Sequence, residues 1–259
     1  MRSFVTLIIT IILFAMVPAT YASEKLQMGV SVDLVPVNSG FSGQDIVIFG
    51  SIEGAEQAAL YRGEYDVVVE VVGDFEEAVV RKKEWIGGIW VNTSAREYTG
   101  VPTYYSVLSR NKLGDVADLS VLNSMSVGID NLKARPVDQG NIEEFLTQGE
   151  FSRALRRIRI DEGLFSENPT SLEQLSPSLF RATLALPPNV PIGVHTVRAY
   201  LFKDGKKLDK IENSFEVRKV GFERWIYDFA HEQSLLYGIM AVFLAIFTGW
   251  AANAIFRRN

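Results

Sequence analysis

The chain has 259 residues, a net charge of −5 and no cysteine. An acidic balance argues against a nucleic-acid binder, and the lack of cysteine excludes a disulfide framework, a thiolate metal site and a cysteine nucleophile. Only two histidines occur, His195 and His231, so a three-histidine metal site cannot be built within one chain, and a serine triad would need one of the two.

Residues 1–22 read as a signal peptide. Met1 and Arg2 form a short basic start, Phe4 to Val17 is apolar, and Ala22 is the small residue before the expected cleavage point. An uncleaved anchor is the alternative, although the run is short for a span. Residues 23–218 then form a domain large enough to bury its own core.

Leu26 to Pro36 alternates apolar and polar residues, the pattern of a half-buried strand, and Asp45 to Gly50 is apolar on both faces, as in a central strand. Glu53 to Gly63 reads as a loop. Val67 to Val71 and Ala78 to Lys83 are further strands. Trp85 to Val91 is a β-rich run whose Gly87-Gly88 pair suggests a bulge or a close backbone approach. Val101 to Ser109 reads as one proline-led strand.

From about 111 to 165 the texture becomes helical. Asn141 can cap a helix with Glu144 reaching back. Phe145, Leu146, Phe151, Ala154, Leu155 and Ile158 form its apolar stripe, Arg153 to Arg159 crowd its C-terminal half, and Gly163 stops it. The β pattern returns at Leu179. Val194 to Phe202 and Leu208 to Val217 flank Asp204-Gly205, a strong hairpin signal, with Ile211, Phe215 and Val217 facing the core. The count and spacing of strands predict a mainly β fold, an immunoglobulin-like β-sandwich with a helical insertion. One continuous unit is expected, because the last segment has too few strands to stand alone.

Residues 219–234 predict a juxtamembrane helix, with Trp225, Tyr227 and Tyr237 near the headgroups. Leu235 to Phe256 carries no charge and is long enough to cross a bilayer as a helix. Arg257 and Arg258 follow in the tail, 257–259, and place it on the cytoplasmic side. The expected partner is thus the lipid bilayer, with the tail inside and everything before residue 235 outside.

Candidate sites are few. His195 reads as a histidine at the rim of the core and His231 as an interfacial side chain. Trp85, Trp90, Tyr98, Tyr104, Tyr105 and Arg110, beside Asn92 and Arg96, form an aromatic and polar cluster suited to a ligand groove or a protein interface; the alternative is core filling. Gly40 to Gly43 has the composition of a phosphate loop but lacks its lysine. Asn92-Thr93-Ser94 matches a glycosylation acceptor. The arginines of 153–159 could meet an acidic partner or anionic headgroups, or form a solvated face. Ala241, Ala245, Gly249 and Asn253 recur every fourth residue of the span, where small residues and an amide allow a second helix to pack. No catalytic residue, metal ligand or cofactor site is indicated.

The Phe-Ser-Gly-x-Asp-Ile-x-Ile-Phe-Gly segment at Phe41 to Gly50, the Val-Pro-x-Tyr-Tyr segment at Val101 to Tyr105, the leader and the single C-terminal span together resemble a family of alphaproteobacterial transmembrane proteins of unknown function. The resemblance covers nearly the whole chain. It implies an inner-membrane protein facing the periplasm, with an accessory role beside a permease of the sulfite-exporter type, and it supplies no catalytic residues.

Two functions follow as expectations. The first is a non-enzymatic interaction module tethered beside a multi-span transporter or envelope complex. The second is a tethered binding protein or hydrolase that uses the Trp85/Trp90/Tyr105 cluster with carboxylates such as Asp66, Asp74 or Glu84. A deep pocket joining these residues would favour the second, and a filled core would favour the first.

Overall fold

The computed structural model describes residues 23–137 and 142–256. The expected signal peptide, the Asn141 cap and the tail from Arg257 lie outside the described residues, as do the side chains of Phe145, Leu146, Phe222 and Trp225. The fold is mainly β, with 47% strand and 27% helix.

The N-terminal alternation does not make one strand. It breaks at Ser31 to Asp33 into β1 (Lys25–Val30) and β2 (Leu34–Val37), which join different sheets. β3 (Gln44–Glu53) is followed by a short helix, α1 (Gln57–Arg62), where a loop was expected. β4 (Tyr65–Val72) leads into β5 (Phe75–Ile86), β6 (Ile89–Pro102) and β7 (Tyr105–Ser109), so Pro102 ends one strand instead of opening the next. The Gly87-Gly88 pair is the turn of the β5–β6 hairpin. With φ of 62° and 93° it meets the positive-φ demand of a two-residue turn, which glycine satisfies at little cost.

The helical insertion comprises α2 (Leu113–Val116), α3 (Leu119–Met125), a 3-10 turn at Ile129–Asn131, the two-residue strand β8 (Arg135–Pro136) and α4 (Ile142–Asp161). Gly163, at φ 73°, reverses the chain after α4. β9 (Phe165–Pro169) and β10 (Leu172–Gln174) are short strands with no clear alternation in sequence. β11 (Leu179–Leu186), β12 (Gly193–Lys203) and β13 (Lys206–Lys219) follow, the last two joined at Asp204-Gly205 as expected. α5 (Phe222–Glu232) and α6 (Ser234–Phe256) end the described chain.

Strands from both halves of the chain interleave. One sheet has the order β1-β3-β11-β10 and the other β2-β13-β12-β4-β7-β9, while β5, β6 and β8 form a third. The two main sheets meet in a core of Leu26, Ile46, Ile48, Phe180 and Leu184 from the first and Val69, Val71, Val197, Leu201 and Phe215 from the second. Burying each large side chain contributes about 1.5–3 kcal/mol. Gly50 is part of the same fit. A Cβ there would meet the Gln27 carbonyl at 2.2 Å and the Phe180 ring at 2.5 Å.

The six-stranded sheet is buried on its other face as well. Val68, Val72, Tyr105, Tyr200 and Phe202 point that way and pack with Val116, Leu122 and Val127 of the insertion. This second cover explains why β4 is almost wholly buried and rich in valine on both faces.

Candidate functional site

The six residues of the aromatic and polar cluster do not share a groove. Trp85 and Trp90 are a directly registered pair at the far end of the β5–β6 hairpin, 60% and 65% exposed. Their ring centroids are 5.4 Å apart at 68°, an edge-to-face contact. Tyr98 is buried near the hairpin base. Tyr104 and Tyr105 are buried as well, and as sequence neighbours they point to opposite faces of the six-stranded sheet. Tyr104 lies beside His195 in the core between the main sheets. The Tyr105 hydroxyl accepts from the Gly128 amide at 2.8 Å, under the insertion. Arg110 is exposed and donates to Gln174 Oε1 at 2.6 Å. Proximity in sequence brought these rings together on paper; strand alternation and the hairpin turn disperse them.

The hairpin has two different halves. Near its base Ala78 and Val80 are buried with Phe151 and Leu155 of α4. Arg159 pairs with Glu76, and Lys82 with Glu150 at 3.4 Å, so α4 lies along the lower part of β5. Beyond Val80 every β5 residue is exposed, and so is β6 from Ile89 to Ala95. The tip, Trp85-Ile86-Gly87-Gly88-Ile89-Trp90-Val91, is uncharged.

A cavity of about 530 Å³ lies between α4 and the hairpin base, lined by Tyr98, Val101, Leu155, Arg156 and Phe165. Its one charged group, Arg156, faces Asp130 at 3.6 Å. Asp66 accepts from Asn111 Nδ2 at 2.9 Å, and Asp74 accepts from the Val194 amide at 3.2 Å. These two carboxylates sit at opposite ends of β4, and Glu84 is on the hairpin, so the three do not converge. Among the described residues no group of three His, Asp or Glu side chains is placed to hold a metal ion.

Sequence reasoning missed the most buried charge. Glu70, 3% exposed, lies opposite Arg198 on β12. It accepts from the Tyr200 hydroxyl at 3.1 Å and from Arg198 Nη1 at 3.5 Å, and Arg198 Nε also reaches Glu212 at 3.1 Å. Burial, and then the Glu70 carboxylate, push the Tyr200 phenol up from its usual range. A lone carboxylate in Val-Val-Val-Glu-Val-Val was the available signal. His195, expected at the core rim, is fully buried. His231 is exposed and stacks on Tyr227, with centroids 4.0 Å apart.

α6 contains a stretch, Ser234–Asn253, that is long and apolar enough to cross a membrane, and none of it is buried against the rest of the chain. Ala241, Ala245, Gly249 and Asn253 fall on one line along it. A Cβ on Gly249 would meet nothing within 4 Å. Thr248 Oγ1 donates back to the Leu244 and Ala245 carbonyls at 2.8 and 3.0 Å, the usual way a hydroxyl is satisfied in such a helix.

The profile of the family described as "Putative transmembrane protein (Alph_Pro_TM)" matches residues 25–258. The chain belongs to this family. Membership and the uncovered apolar α6 make it a membrane protein with one C-terminal candidate span. No curated protein matches it. Among solved structures it is similar to Spo0M, a sporulation control protein from Bacillus subtilis, at 9% identity and a TM-score of 0.29. That match covers 82% of this chain and 56% of the other, so this chain spans little more than half the length of Spo0M.

Proposed function

We propose that the protein is a membrane-anchored interaction module, held by α6 in the inner membrane with its β body in the periplasm and its C-terminus in the cytoplasm. It serves a multi-span transporter, such as a permease of the sulfite-exporter type, or another envelope complex, and it is not an enzyme. The observation that carries this reading is the contrast between the two parts of the chain. The residues expected to build a ligand groove are dispersed between the packed core and the hairpin tip, while none of the apolar stretch Ser234–Asn253 of α6 is buried against the rest of the chain. The basic pair Arg257-Arg258 supports the orientation.

The line Ala241, Ala245, Gly249 and Asn253 is the face on which a second membrane helix would pack. Replacing Ala245 and Gly249 with Leu adds bulk there without weakening insertion. Crosslinking and co-purification of the full chain with its membrane partner should fall, by roughly 1 kcal/mol per well-packed contact. The same double replacement at Phe243 and Phe247, elsewhere around the helix, should have no effect. Unchanged association in the first variant would reduce α6 to a bare anchor.

A further inference from the structure

The β5–β6 hairpin is more than an extension of the sheet. β4 and β13 both pair antiparallel with β12, so they run in the same direction. β12 begins where both of them end, with Gly193 opposite Val217 and Thr196 opposite Val72. β4 then passes into β5 with little break in pairing. The Gly73 amide donates to the Tyr104 carbonyl at 2.8 Å and the Thr103 amide to the Asp74 carbonyl at 2.7 Å. Asp74 also fastens this corner to β12 through the Val194 amide. The hairpin therefore leaves the six-stranded sheet at the same end from which β13 hands the chain to α5 and α6.

Reach agrees with this direction. Twelve residues of β5 at about 3.3 Å each extend roughly 40 Å. The eleven residues of α5 span only about 16 Å as a helix. The hairpin is long enough to touch the bilayer that α6 crosses.

Its end has the chemistry of a membrane interface. Two tryptophans flank Ile86 and Ile89, which are 52% and 64% exposed, over a turn whose strands stay paired up to Ile86 and Ile89. The pairing satisfies the inward-facing backbone groups of the tip, and its two open edges suit the hydrated headgroup region, not the hydrocarbon. Directly behind the tip come Arg81, Lys82 and Lys83; Lys82 lies between Glu84 at 3.7 Å and Glu150 of α4 at 3.4 Å, while Arg81 and Lys83 are exposed, in a chain whose net charge is −5. An apolar cap with indoles, backed by cations, matches an anionic phospholipid surface. The base is braced by α4 and the far half is uncovered, so the cap is held out from the body on a supported stem.

We propose that the β5–β6 hairpin tip is a second membrane contact, seating Trp85, Ile86, Ile89 and Trp90 in the anionic headgroup region of the same bilayer that α6 spans. This goes beyond the interaction role proposed above and does not depend on any protein partner.

The test uses the full chain in nanodiscs, with Trp225→Phe and Trp250→Phe so that only Trp85 and Trp90 emit. In discs containing phosphatidylglycerol their emission should shift to the blue and be quenched by phosphatidylcholine brominated on its acyl chains. Arg81→Gln with Lys83→Gln, which leaves the Lys82–Glu150 brace in place, or added salt, should lessen both effects, and discs of phosphatidylcholine alone should show less of each. A second probe avoids reliance on the tryptophan variants: Ile86→Cys in this cysteine-free chain, carrying an environment-sensitive fluorophore, should report the same apolar shift. Solvent-like, unquenched emission in every disc would overturn the proposal and point to a protein surface as the occupant. Quenching only after separate vesicles are added would overturn it in favour of a contact with an opposing membrane. Equal quenching with and without anionic lipid would overturn the headgroup assignment.

Discussion

The imidazole of His195 lies nearly parallel on the ring of Phe215, with centroids 5.2 Å apart and 14° between the planes. The two residues are directly paired across β12 and β13. Nδ1 is 3.3 Å from the Gly193 carbonyl, and Nε2 has no hydrogen-bond partner. A cation in this place would be stranded, so the histidine is neutral.

Burial lowers the His195 pKa below its ordinary 6.5, against the opposing pull of the Gly193 carbonyl and the Asp74 carboxylate. The unfolded chain therefore takes up a proton before the folded one does. The stabilisation is complete above pH 6.5 and is lost as the pH falls from there toward the depressed folded value. Thermal unfolding of the full chain in mild detergent should weaken between pH 7.5 and 5.5 more than unfolding of His195→Leu does. Equal losses would show that His195 does not set the acid limit.

At high pH the sign reverses. Burial pushes the Tyr104 phenol up to about 12, against a smaller opposing effect of its hydrogen bond with Ser106, and burial raises Tyr105 and Tyr200 as well. An unfolded tyrosine ionises near pH 10, so stability is intact below that point and declines from pH 10 toward 12. In a spectrophotometric titration these three of the nine tyrosines should ionise only as the fold is lost. Nine independent titrations near pH 10 would contradict the buried placement.

Glu70→Gln keeps the shape of the buried carboxylate and removes its charge. Arg198 retains Glu212 and some solvent, while Tyr200 loses a charged acceptor. Denaturant unfolding should show a loss of about 1–3 kcal/mol. No loss would mean that the pair is replaceable by neutral hydrogen bonds.

Gly50→Ala should be more damaging than its single methyl suggests. The new Cβ would press on the Gln27 carbonyl as well as on the Phe180 ring. A ring can turn, but a backbone carbonyl held in the β1–β3 ladder cannot move alone. A loss of about 1–3 kcal/mol is expected for such overpacking, read as a lower unfolding midpoint. A midpoint equal to wild type would show that β1 shifts freely.

Orientation can be read with fused reporters. Alkaline phosphatase joined after Val217 should be active, and the same enzyme joined after Asn259 inactive. The reverse pattern would place the β body in the cytoplasm and overturn the proposed topology.

What the sequence determined by itself was local. Leu235 to Phe256 carries no charged residue over the length of a span, and that alone requires a helix with a lipid-facing surface. Asp204-Gly205 between two alternating runs specifies a hairpin, because only certain residues accept positive φ there. Gly163 and the arginine-rich run before it mark the end of α4 in the same way. Periodicity, however, reports that a face is covered and never by what. Only tertiary structure could split the alternation of Leu26 to Pro36 between two sheets, since both pieces bury the same kind of face. It alone set Glu70 opposite Arg198, 128 residues away, and drew His195 from the expected rim into the core. It also sent Tyr104 and Tyr105 inward and left Trp85 and Trp90 outside. The aromatic rings are chemically alike in sequence; their fates differ because Tyr104 and Tyr105 fall where the six-stranded sheet is covered on both faces, while Trp85 and Trp90 lie on the hairpin beyond the reach of α4, and both are contacts between distant segments.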